Sequence, residues 1–84
     1  MAILVSMPVG VYDGLLKKCS ALSREYLILK NGVVRRDREH RTSPAEVEIL
    51  CEAPRAKFLL DFATLVYPEA VPFIEKSINA AEES

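Results

Sequence analysis

"REYLILKNGVVRRD", Arg24 to Asp37, decides the fold of this chain, because its apolar residues satisfy two incompatible periods. On one reading Tyr26 and Leu29 continue an apolar helical face that begins upstream, and Asn31-Gly32 closes that helix as a C-terminal cap. On the other, Asn31-Gly32 is the two-residue type I′ turn of a β-hairpin, since both central positions of such a turn need φ > 0 and this pair tolerates it. "EYLILK" and "VVRRD" are then its two strands. The hairpin is the favoured expectation: a continuous "YLIL" followed by "VV" suits a sheet, and Ser20 to Ser23 supplies a break after the preceding segment.

Upstream, "AILVSM" (Ala2 to Met7) is a short apolar run stopped by Pro8, as a buried strand would be. Tyr12, Leu15, Leu16, Cys19 and Leu22 then recur at i, i+3, i+4, i+7 and i+10, which places them on one face of a helix with Lys17 and Lys18 on the other side. Asp13 is expected in the first turn, where a negative charge suits the helix dipole. Gly14 costs that helix about 1 kcal/mol relative to Ala.

Downstream, "AEVEILCEA" (Ala45 to Ala53) alternates Val47, Ile49 and Cys51 against Glu46, Glu48 and Glu52, with Leu50 as the one break in the pattern. Period 2 predicts a strand with one wet face. A competing signal is Ser43-Pro44 with Glu46, which could open a helix through a capping box, but the alternation runs on past it. "PRAKFLLDFATLVYP" is the clearest helix, with Pro54 at its start, Pro68 beyond its end and a narrow polar stripe of Lys57, Asp61 and Thr64. Its remaining residues from Phe58 to Val66 are apolar, so more than one neighbour must cover it. The last segment, opened by Pro72 and carrying Phe73, Ile74 and Ile78, is the natural second cover, with residues 80–84 expected to fray.

These elements predict one α+β domain over residues 1–84: a small, mainly antiparallel sheet with helices on one face, in the order β-α-β-β-α-α. The alternative is a mostly helical chain with one long N-terminal helix.

Half of the 84 residues are hydrophobic, more than a chain of this size easily hides, which points to a surface that meets a partner. The net charge of −1 conceals an asymmetry: residues 1–42 hold eight Lys/Arg against four Asp/Glu (+4), and residues 43–84 hold three against eight (−5). No stretch reaches the roughly 20 apolar residues of a membrane span, and "MAILVSMP" lacks a basic secretory start, so a cytoplasmic protein without membrane contact is expected. Cys19 and Cys51 each sit in an apolar pattern outside any metal-ligand spacing, and are expected to be buried free thiols.

Candidates for chemistry are thin. His40 is the only histidine and lies among arginines; Glu46, Glu48 and Glu52 line the wet face of a strand; no glycine-rich phosphate loop or nucleophile elbow is present. No catalytic, cofactor-binding or metal residue is therefore assigned, and no cofactor. Arg35, Arg36, Arg38 and Arg41 form a candidate electrostatic partner site, although Asp37 and Glu39 interrupt them and no aromatic is interleaved to stack on bases. Phe58, Phe62, Leu65, Phe73, Ile74 and Ile78 form a candidate apolar partner site. The expected function is a small protein-interaction or accessory domain that self-associates as a homodimer or binds a protein partner without catalysis. A nucleic-acid-binding regulator using the arginine-rich segment is the alternative, and a small enzyme or ligand sensor the third class.

Overall fold

Alternation in "AILVSM" sets Ile3, Val5 and Met7 on one side of a strand, and the computed structural model, which describes residues 1–35 and 45–83, buries all three. The elements are β1 (Ala2–Pro8), α1 (Val9–Lys17), α2 (Arg24–Leu29), β2 (Val33–Arg35), β3 (Glu46–Glu52), α3 (Ala53–Val66), a 3-10 turn (Pro68–Ala70) and α4 (Val71–Glu83). With α1 and α2 taken as one helical segment, the order is β-α-β-β-α-α, and the class is α+β with an antiparallel sheet.

The sheet runs β1-β3-β2, with β3 central. β1 pairs with β3 along its whole length, from Ala2↔Glu52 to Pro8↔Glu46, whereas β2 pairs only through Val33↔Glu48, Val34↔Val47 and Arg35↔Glu46. Bonds from Val9 N–H to the Ala45 carbonyl and from Ala53 N–H to the Met1 carbonyl, each 2.9 Å, extend the β1–β3 ladder at both ends. They also set its parity: odd-numbered β1 residues exchange hydrogen bonds with β3, while even-numbered residues form the non-hydrogen-bonded pairs whose side chains lie closest.

The odd residues of both strands face the helices. Val47 and Ile49 join Ile3, Val5 and Met7, and the helical layer adds Leu15, Ile28, Leu29, Ala56, Leu59, Ala63, Ile74 and Ile78 to the same core. Each large aliphatic side chain so buried contributes about 1.5–3 kcal/mol. No polar or charged residue is buried in this core among the described residues.

Four local expectations are corrected. Residues 24–29 form α2 rather than the first arm of a hairpin. Ser23 is its N-cap, in extended conformation, and its Oγ accepts the Tyr26 N–H at 3.2 Å, satisfying one of the donors a helix start leaves orphaned. Glu25 places a negative charge in the first turn, Ile28 and Leu29 turn into the core, and Asn31-Gly32 closes the helix without any positive φ. The single long N-terminal helix is not formed either, because α1 ends at Lys17 and Cys19 to Ser23 separate it from α2. Cys19 and Leu22 consequently lie outside α1, and since α1 starts at Val9 rather than near Tyr12, Asp13 lies beyond its first turn.

Gly14 has a packing reason. A Cβ built there would lie 2.6 Å from Tyr67 Cζ, so the ring of the residue that ends α3 rests directly on the α1 backbone. Tyr12 ties α1 to α2 by donating its hydroxyl to the Leu29 carbonyl at 2.6 Å. On the far edge of the sheet, Ser77 of α4 accepts the Ser6 N–H at 3.1 Å and donates to the Phe73 carbonyl at 2.9 Å, so a helix side chain pairs a donor that the β1 edge would leave open.

Candidate interaction surface

Helix α3 turns Ala56, Leu59 and Ala63 inward. At 100° per residue, the opposite side of the same helix is centred on Pro54, Asp61, Leu65 and Phe58, with Lys57 and Thr64 along one flank and Phe62 along the other. Leu65 is 83% exposed and Phe58 40%, and Val66 is exposed as well. The polar stripe of Lys57, Asp61 and Thr64 faces outward as its spacing predicts, but an apolar ridge runs beside it.

α2 borders this ridge. The Arg24 guanidinium lies 4.1 Å from the centroid of the Phe58 ring, a cation–π contact at an exposed site worth about 0.5–1 kcal/mol. Leu27, one turn along α2 from Arg24, is half exposed, and Leu22 just before the helix is 93% exposed. The spacing assigns Leu22 to the apolar face of the first helix, but α1 ends at Lys17 and Leu22 lies outside it, exposed.

The six apolar candidates divide. Phe58 and Leu65 are exposed, and Phe62 and Phe73 are partly buried against the core. Ile74 and Ile78 are taken up by the chain's own core, so α4 spends its apolar face on β1 and α3 rather than on a partner. Of the four arginines, Arg35 ends β2, where its Nε lies 3.0 Å from Glu48 Oε1, which commits it to a neighbour on the sheet. Arg36, Arg38 and Arg41 lie outside the described residues, as do His40 and the Ser43-Pro44 pair.

A second apolar surface was not anticipated. The sheet face turned away from the helices carries Leu4, Leu50 and Val33, all exposed. The signal was present in the sequence: Leu50 is the residue that breaks the alternation of β3, an apolar side chain on the face that otherwise holds Glu46, Glu48 and Glu52. Paired charges frame this patch, Arg35 with Glu48 on one side and the N-terminal amine with Glu52, 3.5 Å apart, on the other.

No family model, curated protein or solved structure matches this chain. The chemistry of its surface therefore stands on the geometry alone. Between β1 and α4 lies an open groove of about 500 Å³ lined by Leu4, Phe73, Lys76 and Ser77, among others, and the Ser77 hydroxyl in it is already used both as donor and as acceptor. Cys19 and Cys51 are free thiols, half-buried rather than fully buried. Burial pushes both thiols above their ordinary pKa, with Glu25 adding to the rise at Cys19; at Cys51, Arg55 opposes the rise and Glu52 adds to it. Among the described residues no three His, Cys, Asp or Glu side chains gather where a metal ion could be held, and no helix is long and apolar enough to cross a membrane.

Proposed function

We propose that this chain is a small protein-interaction or accessory domain that self-associates through the outer side of α3 and the neighbouring α2. The observation that carries the proposal is the exposure of Leu65 and Phe58 on the outer side of α3, with Leu27 and Leu22 also exposed on and just before α2, whose Arg24 lies over Phe58. Large side chains gain free energy in proportion to the apolar area they remove from water, and neighbouring exposed apolar side chains of this size mark an interaction surface. The sheet face is the weaker candidate, because the charges around Leu4 and Leu50 already have partners within the chain.

Sedimentation velocity over micromolar to millimolar loading tests this. The expected result is a sedimentation coefficient that rises with concentration, and a smaller rise when Leu65 is replaced by Glu. A monomer throughout that range would sink the proposal.

A further inference from the structure

Resting on the proposed self-association, we infer that the partner is a second copy of this chain whose α3 lies antiparallel on the first, with Lys57 of each copy against Asp61 of the other. The outward side of α3 has the charge pattern such a pairing needs. Lys57 and Asp61 are both exposed, lie one turn apart on that side, and carry opposite signs. Laid antiparallel about a twofold axis level with residue 59, residue 57 comes opposite residue 61 and residue 61 opposite residue 57. Two reciprocal ion pairs result. The same register sets Leu65 level with Ala53 of the second copy at each end, one residue from the exposed Pro54, and brings the two Phe58 rings together near the axis, on the flank away from the ion pairs. A shift of one residue either way takes Lys57 and Asp61 off their common level, so the charges rather than the apolar contacts set the register.

Within a single chain the two charges do little for each other. No ion pair within 4 Å joins Lys57 to Asp61 or to another described residue. Lys on the N-terminal side of an acid at i, i+4 is also the less favourable order in an isolated helix, because each charge then opposes the helix dipole. An isologous contact places the same patch on both subunits, so a lysine and an acid one turn apart on the patch are self-complementary. The Arg24 guanidinium, held over Phe58 on the adjacent helix, borders the meeting rings on each side.

Charge reversal tests the register. K57E alone or D61K alone puts like charges at both reciprocal positions and is expected to weaken self-association about tenfold or more. K57E/D61K restores opposite charges in every pair and is expected to return the association to the wild-type range. Its folding is not at risk, since an acid at residue 57 and a lysine at residue 61 are in the favourable order for the helix itself. Sedimentation equilibrium on the four proteins gives the readout. Self-association that is unchanged by either single reversal, or that the double variant fails to recover, overturns the antiparallel pairing while leaving self-association in place. A wild-type protein that is monomeric throughout removes both.

Discussion

Leu4 and Leu50 stand directly opposite each other on β1 and β3, on the sheet face that no helix covers, as a pair without hydrogen bonds between their backbones. Their neighbours one residue along, Val5 and Ile49, form the adjacent cross-strand pair and are fully buried. Leu50→Thr should therefore change stability by no more than about 0.5 kcal/mol, the usual range for surface positions. Ile49→Ala should cost about 2–5 kcal/mol, because it leaves a cavity between the sheet and the helices. Urea unfolding monitored by circular dichroism compares the two. Leu50→Lys should leave sedimentation unchanged, because the sheet face is not the proposed contact.

Gly14→Ala would ordinarily stabilise a helix by about 1 kcal/mol. Here the new methyl meets the Tyr67 ring, and the expected outcome is a loss of about 1–3 kcal/mol. In a Tyr67→Ala background the clash is gone, and Gly14→Ala should become neutral or stabilising. Four unfolding curves close the double-mutant cycle, and equal effects in both backgrounds would show that the ring is not the cause.

Ser23→Ala removes the side-chain acceptor of the Tyr26 N–H and should cost about 0.5–2 kcal/mol, whereas Ser23→Asp should keep most of the cap. α2 is only six residues long, so its loss of order is expected to appear first as faster amide exchange at Ile28 and Leu29.

The thiols of Cys19 and Cys51 and the hydroxyl of Tyr12 all titrate above their ordinary values, each chiefly because of burial. A raised folded-state pKa means that the unfolded chain loses its proton first as pH rises. Stability is thus at its full value below the ordinary thiol range, and should fall as pH climbs through that range toward the raised values. Denaturation midpoints measured from pH 7 to about pH 10.5 should decline on the alkaline side, and iodoacetamide should modify the native thiols more slowly at pH 8 than it modifies the unfolded chain.

Where one period dominated, the sequence was legible. α3 carries a single clear signal and lies where that signal puts it, and β3 follows its alternation past the competing Ser43-Pro44 start, whereas β1, expected as a buried strand, is an edge strand with one exposed face. Residues 24–32 were not legible, because Tyr26, Leu27, Ile28 and Leu29 suit a strand as well as a helix, and tertiary packing settles such ambiguities: a cap at Ser23 and core places for Ile28 and Leu29 outweighed the turn propensity of Asn31-Gly32. The exposed surface of the candidate site was half legible. Phe58 and Leu65 could be read from the all-round apolar character of α3, but nothing in the pattern told them apart from Ile74 and Ile78, since an amphipathic face does not announce whether its own chain covers it. Leu22, Leu27 and Leu4 required knowing where helices break and which sheet face stays bare.

The pairing of Ala2 with Glu52 also governs when this protein can fold during synthesis. At about 5–20 residues per second, the first strand waits roughly 3–10 s before its partner strand has even been translated, and longer before Ile74, Ile78 and Ser77 arrive to close the core and the β1 edge. The nascent amino-terminal half thus carries "AILVSM" and "YLIL" without a sheet to hold them, and ribosome-associated holdases are expected to engage this half until the carboxyl-terminal helix has emerged.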